Sequence, residues 1–306
     1  MDSPVLEVKN LTKKFGEFTA VNDVSFSIQE GEVLGFLGPN GAGKTTTIQM
    51  LIGVMQPTQG NIVYFGKAFN KHRVEILKQI NYSSGYISLP YLLTIGEILD
   101  VFARLYEIPD KKKRMQKLLA VFEIEDLRKK QFYTLSAGQK SRVLLAKAFL
   151  NYPKIILLDE PTASLDPDIA KRIREFLKKE KEEFNVSMLF TSHNMAEVEE
   201  MCDRVIFIDK GKIVTEGTPA DIAKEIDECK LSLLITQKRD AAIKILERHG
   251  FSTTKDKFFL HIILSEKKIP SLLSELAKEN ITYDEISIEK PDLEDFFLKI
   301  YERKTV

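Results

Sequence analysis

The sequence predicts an α/β fold followed by a smaller α+β unit, and three of its features lead there. Short, unbroken apolar strands such as Val33-Leu34-Gly35-Phe36-Leu37 and Lys154-Ile155-Ile156-Leu157-Leu158 end in polar residues. That is the pattern of a parallel sheet covered on both faces. A glycine-rich turn, Gly38-Pro39-Asn40-Gly41-Ala42-Gly43, lies directly between one such strand and a segment of helical spacing. Finally, Gly217-Thr218-Pro219 breaks the alternation, and elements of a different character follow it. A chain of 306 residues has room for both units.

The elements follow in order from Val5 to about Gly217. After the turn, the stretch from roughly Lys67 to Thr134 becomes helical, as in Ile95-Gly96-Glu97-Ile98-Leu99-Asp100-Val101-Phe102. The basic run Asp110-Lys111-Lys112-Lys113-Arg114 opens another helix and reads as a solvated face. Ser187-Met188-Leu189-Phe190 and Arg204-Val205-Ile206-Phe207-Ile208 read as further strands of the parallel sheet. Beyond the break, Lys230 to Gln237 reads as a strand, and Asp240 to His249 as a helix closed by Gly250. A hairpin around Lys255-Asp256-Lys257, a helix from about Pro270 to Glu279 and a strand from Ile281 to Ile288 complete a βαββαβ order, that of a ferredoxin-like unit. A last helix, Leu293 to Ile300, carries an apolar stripe at Leu293, Phe296, Phe297 and Ile300.

Composition narrows the function classes. Apolar residues at 43% and charged residues at 29% belong to a globular protein. The net charge is +0, so no global field recruits nucleic acid or anionic lipid, and no nucleic-acid partner is expected. Cys202 and Cys229 are too few for a disulfide framework and read as small buried hydrophobes in a reducing compartment. Met1-Asp2-Ser3-Pro4 lacks the basic region of a secretory signal. No apolar run approaches the ~20 residues of a membrane helix, so any membrane role runs through a partner that spans it.

The chemistry begins at Gly38-Pro39-Asn40-Gly41-Ala42-Gly43-Lys44-Thr45, which fits GxxxxGK[ST]. Glycines at 38, 41 and 43 let the backbone turn around an anion and aim its N–H groups inward. The helix opening near Gly43 adds its positive end, and Lys44 a point charge for terminal phosphates. Thr45 offers a hydroxyl to Mg²⁺, and Thr46 can bond a phosphate oxygen. Asp159 and Glu160 end a buried strand, where paired carboxylates are costly unless they meet a cation or a reacting water. Asp159 is placed to hold Mg²⁺, and Glu160 to polarise the attacking water as general base.

With these residues in view, the stretch from 5 to about 220 resembles the nucleotide-binding subunits of ABC transporters. The resemblance rests on GPNGAGKTT, LSAGQKSR, LLDEPTASLDP and the TSHNM segment, in the family's order and spacing. It implies a P-loop NTPase of the ABC type on residues 1–220, with a helical subdomain around 70–150, and a C-terminal domain on 221–306. It also implies ATP and Mg²⁺ as cofactors, a second ATPase subunit in a homo- or heterodimer, and a membrane-spanning permease. The location implied is cytoplasmic, peripheral on the inner membrane face. Phe15 sits where the family stacks an aromatic on adenine. Ser136 and Gly138, beside Gln139, match the signature that reaches the γ-phosphate held by the opposite subunit. Asp166 matches the aspartate that communicates between the two sites, and His193 the histidine that contacts the γ-phosphate. Segment Tyr86 to Thr94 matches the region that passes motion to the permease.

Two positions depart from the family. Gly85 stands where a glutamine usually follows the stretch Ile80-Asn81-Tyr82-Ser83-Ser84, and Ala137 stands at the middle of the signature. Glycine has no carboxamide to reach Mg²⁺ or water, so slower hydrolysis or altered coupling is expected, with Glu160 and His193 still sufficient for the chemistry. The ending Pro291-Asp292-Leu293-Glu294-Asp295-Phe296-Phe297-Leu298 is similar to that of drug- and antibiotic-exporter ATPases, which implies export. Two alternatives stay open: a soluble ABC ATPase with a non-membrane partner, and a weakly hydrolysing ATP-gated regulatory module.

Overall fold

In the computed structural model, which describes residues 4–85, 87–251, 253–256 and 258–302, the chain separates into two units, Met1–Thr218 and Pro219–Val306. The first opens on a hairpin of β1 (Leu6–Phe15) and β2 (Phe18–Ile28), then β3 (Val33–Leu37), the glycine turn and α1 (Lys44–Leu51). Strands β4 (Gln59–Tyr64) and β5 (Lys67–Ala68) return to the hairpin and give a four-stranded antiparallel sheet, β2-β1-β4-β5. This sheet differs from the all-parallel expectation, and the reason is periodicity. Leu6 and Val8 of β1, and Val24, Phe26 and Ile28 of β2, alternate with more exposed residues, so one face is buried and the other is not. That face shares a core with Phe36, Ile48, Leu51 and Tyr64, each fully buried. Burying a side chain of this size contributes roughly 1.5–3 kcal/mol.

Next come α2 (Arg73–Leu77), β6 (Ile80–Ser84), α3 (Ile95–Leu105), α4 (Lys111–Val121) and α5 (Ala137–Ala148). Helix α3 starts at a capping box in which Thr94 and Glu97 satisfy each other's backbone N–H groups. The expectation of a solvated basic run at the start of α4 fails at Arg114. This side chain is 2% exposed, donates to the Phe149 carbonyl and lies over the Tyr152 ring at 3.9 Å. Helical spacing sends it to the buried side together with Met115 and Leu118. Strand β6 was hidden in the sequence because Asn81, Ser83 and Ser84 are polar, yet all three are buried.

The unit closes with β7 (Ile155–Asp159), α6 (Pro167–Phe184), β8 (Ser187–Thr191), α7 (Met195–Met201), β9 (Arg204–Asp209) and β10 (Lys212–Gly217). Six strands form one sheet in the order β10-β9-β3-β8-β7-β6, parallel throughout except for the antiparallel β10. Every residue of β3, β7 and β8 is buried, as strands covered on both faces must be.

The second unit contains α8 (Pro219–Ala223), β11 (Glu228–Leu234), α9 (Arg239–Arg248), β12 (Thr253–Lys255), β13 (Phe259–Ser265), α10 (Ile269–Lys278), β14 (Glu285–Glu289) and α11 (Leu293–Glu302). Its antiparallel sheet runs β12-β13-β11-β14, the β-α-β-β-α-β arrangement with the first and third strands central. The last strand is shorter than Ile281 to Ile288. Ile281 is 4% exposed and belongs to the core under α10, and the chain joins the sheet only where the Asp284 N–H bonds the Leu234 carbonyl. On α11, Leu293 and Phe296 are buried and Phe297 half-buried, while the side chain of Ile300 lies outside the described residues. Tyr86 and Lys257 also lie outside them.

Candidate functional site

Strands β3, β8, β7 and β6 are neighbours in that order, so their carboxyl ends and the loops beyond them stand in one row. Ligand sites of parallel sheets gather at such ends. The glycine turn leaves β3, His193 follows β8, Asp159 and Glu160 end β7, and Gly85 follows β6. Register fixes their heights, because Asp159 pairs with Thr191 on one side and with Ser84 on the other.

Within the turn, Gly38 has φ +153° and Gly43 φ +107°, and a Cβ would fall 2.1 Å from the Ile208 carbonyl oxygen at the first and 2.6 Å from that of Ala20 at the second. Only glycine lets the chain pass there. The first-turn N–H groups of α1 (Lys44, Thr45 and Thr46) have no carbonyl within the helix to bond, which leaves them for an anion. Lys44 Nζ donates to the carbonyls of Gly38 at 2.5 Å and Pro39 at 3.0 Å, which keeps the ammonium over the turn. Burial lowers the affinity of Lys44 for its proton, and the carboxylates of Glu160 and Asp159 oppose that effect.

Asp159 is 7% exposed and takes three hydroxyl donors: Thr191 Oγ1 to Oδ1 at 2.8 Å, and Tyr82 OH and Ser84 Oγ to Oδ2 at 3.3 Å each. Burial first, then the Asp159 charge and hydrogen bond, push the Tyr82 phenol up to about 12 against an opposing bond from Ser84, so it stays a donor. Glu160 has φ +52°, a strained value for a side-chain-bearing residue. Its N–H donates to the carbonyl of Thr191 at 3.2 Å and to its hydroxyl at 3.1 Å. The carboxylate turns to His193, with Nε2 and Oε1 2.9 Å apart, both groups partly exposed. A base within reach of solvent and beside a histidine can orient a water.

Other residues singled out from the sequence lie elsewhere. Phe15, 48% exposed, ends β1 at a turn through Gly16, and the sheet it belongs to packs on the glycine turn where Ala20 approaches Gly43. Ser136 caps α5 in a box with Gln139, and Gly138 lies against the Ser164 carbonyl, 2.9 Å from where its Cβ would be. Asp166 stands at the N-cap position of α6, makes no side-chain capping bond there and is exposed. Among the described residues, no hydrogen bond joins the start of α5 to the glycine turn. Thr191, Tyr82, Ser84, Thr162, Ser192 and Glu197 were missed. A hydroxyl residue ending an apolar strand, as in Phe190-Thr191-Ser192, was the available signal for a carboxylate partner.

The donor set fits a nucleotide triphosphate with Mg²⁺. Gly41 has φ +79° and a Cβ there would meet nothing within 4 Å, so the turn is open at that residue. Among the described residues no cluster of three or more His, Cys, Asp or Glu forms a protein-only metal cage. One carboxylate and one hydroxyl suit Mg²⁺, which draws its remaining oxygens from phosphates and water.

The family profile described as "ABC transporter" matches residues 21–163. The linearmycin resistance ATP-binding protein LnrL of Bacillus subtilis (strain 168) is 32% identical over 97% of this chain and 98% of its own. The bacitracin transport ATP-binding protein BcrA of Bacillus licheniformis is 32% identical over 97% of each. Among solved structures, a dimeric ATP-binding cassette in a post-hydrolysis state with ADP and Pi superposes with a TM-score of 0.65 at 28% identity. It covers 70% of this chain and 98% of that one.

Proposed function

The chain belongs to the ATP-binding subunits of ABC transporters, and from that premise we propose that Lys44, Asp159, Glu160 and His193 form one half of a composite ATPase site. The protein is an ATPase of a family that dimerises and works with membrane permease components. The observation that carries the site assignment is the row of loops beyond β3, β8 and β7, where Lys44 senses the charges of Asp159 and Glu160 and Glu160 meets His193.

In this reading the turn from Gly38 to Thr46 binds the phosphates through backbone N–H groups, with Lys44 adding charge. Thr45 and Asp159 would hold Mg²⁺, which when bound neutralises phosphate charge. Phe15 offers a ring for the adenine. Glu160 takes the proton of the attacking water, and His193 keeps the carboxylate aimed and meets the terminal phosphate. Ser136, Gly138, Gln139 and Asp166 serve the site of a second subunit, in keeping with the absence, among the described residues, of a hydrogen bond from the start of α5 to this chain's own glycine turn.

The proposed direction of transport is export. Support comes from full-length similarity to linearmycin resistance and bacitracin transport proteins, and from the C-terminal unit that such a match includes. No helix among the described residues is long and apolar enough to cross a membrane. In this reading a permease of the kind the family works with would carry the pathway and hold this subunit at the membrane's inner face.

Glu160→Gln tests the site. It removes the base and keeps the shape, so ATP binding should persist, turnover should fall to background, and a dimer should accumulate in ATP by light scattering. Retained turnover would remove Glu160 from the base role. Co-purification of a stoichiometric polytopic membrane protein after mild detergent extraction would support the transport reading, and recovery in the soluble fraction alone would count against it.

A further inference from the structure

We infer that Glu197 is a positioning residue that ties the loop of the general base to the loop of the histidine; the inference rests on the roles proposed for Glu160 and His193. Glu197 lies in the first turn of α7 and is 5% exposed. Its Oε2 accepts two hydroxyl donors at 2.8 Å, Thr162 Oγ1 and Ser192 Oγ. Thr162 follows Glu160 by two residues, and Ser192 directly precedes His193. A single oxygen atom is therefore the common anchor of both catalytic loops.

The anchor is itself held from behind. Arg174 of α6 donates from Nη1 to Glu197 Oε1 at 3.1 Å, and its Nε donates to Glu200 at 2.6 Å, which Lys178 also holds at 2.8 Å. The Ser192 hydroxyl, besides donating to Glu197, accepts the Asn194 N–H at 3.1 Å, and the Asn194 side chain accepts the Glu197 N–H at 3.3 Å. The two residues flanking His193 are thus both tied to Glu197. A buried carboxylate is costly unless its oxygens are satisfied, and here both are. The arrangement also suits Glu160, whose left-handed backbone persists only where its surroundings over-determine it. A helix-start glutamate that merely stabilised α7 would need neither Thr162 nor Ser192.

The test uses the purified full chain and its basal ATPase. Glu197→Gln keeps the size of the side chain and the acceptor for Arg174, but puts an amide N–H where two hydroxyls now donate, so both hydroxyls must turn to accept from it and the charge that draws the two loops together is lost. Catalytic geometry loses about 10²-fold per ångström of misplacement, so kcat should fall roughly 10- to 100-fold. The Kd of a fluorescent ATP analogue with Mg²⁺ should stay within about twofold, since the glycine turn is untouched. In a His193→Ala background, Glu197→Gln should cost several-fold less in kcat than it does in the wild type, because one of the two groups it positions is gone. The same fold loss in both backgrounds would overturn the inference and leave Glu197 a structural residue. Unchanged turnover in His193→Ala alone would overturn the role of His193, and this coupling with it. If Glu197→Gln does not fold, Thr162→Val and Ser192→Ala in a double-mutant cycle replace it. Non-additive losses of kcat support the shared anchor, and additive ones refute it.

Discussion

Replacing Thr191 by valine removes one hydroxyl and little else, and the structure sets out what that hydroxyl does. It donates to Asp159 Oδ1 at 2.8 Å and accepts the Glu160 N–H at 3.1 Å, in a side chain 1% exposed. The Glu160 N–H keeps the Thr191 carbonyl as acceptor, so that half of the loss is small. Oδ1 of a buried carboxylate loses its short donor, while Oδ2 retains Tyr82 and Ser84. A hydrogen bond to a buried charged group contributes about 1.5–3 kcal/mol. For a unit of this length each kcal/mol is about 2–4 °C, so the melting temperature should fall by roughly 3–12 °C. Function should suffer further, because the same hydroxyl fixes the carboxylate proposed to hold Mg²⁺ and the strained backbone of the proposed base. We expect at least a tenfold loss of kcat and a higher Mg²⁺ requirement, with Thr191→Ser close to wild type. Calorimetry, phosphate release at saturating ATP and a Mg²⁺ titration measure all three. A valine variant melting within about 1 °C of wild type and turning over within twofold would refute the reasoning.

Three further outcomes are expected. Gly85→Gln restores a carboxamide at a position where a Cβ meets nothing within 4 Å, so turnover should rise; equal turnover would mean that the glycine does not impair the site. Lys44→Ala should weaken ATP binding tenfold or more, and unchanged affinity in a binding titration would remove Lys44 from the phosphate role. Lys147 on α5, bonded to Asn81 Oδ1 at 3.0 Å and over the Phe102 ring, has its affinity for a proton pushed down to about 8 by burial. Below about pH 8 both folded and unfolded chains carry this charge, and the folded chain bears the full burial penalty. Between there and the ordinary value of 10.5 the folded chain releases the proton first, so this group's contribution to stability rises by about 3 kcal/mol. Lys147→Met should therefore exceed wild type in urea stability near pH 7, with the gap narrowing toward pH 10. A gap independent of pH would show that the burial penalty is not what the variant removes.

Glycines 38, 41 and 43, Lys44 and the Asp159–Glu160 pair could be singled out from the sequence because each sits at a strand end, where local pattern and chemistry coincide, whereas His193 was reached only through the family resemblance. The apolar runs of β3, β7 and β8 were legible for a similar reason: strands buried on both faces leave no polar alternation to misread. Strand β6 was not, because its buried Asn81 and Ser83 look like loop residues until their partners are known. Arg114 was misread because charge predicts solvent, whereas its place on the helix turns it to the Phe149 carbonyl and the Tyr152 ring.

What the sequence determined by itself is whatever one stretch of chain encodes: the anion-binding turn, the acidic pair, and the break before the second unit. Strand order and cross-chain hydroxyls were decided only by tertiary structure. Thr191 reaches Asp159 across 32 residues, and Thr162 and Ser192 meet on Glu197 from 35 and 5 residues away. A hydroxyl carries no periodic signal, and its value depends on which carboxylate a neighbouring strand brings within about 3 Å of it. That is settled by register between strands distant in sequence, which no local pattern records.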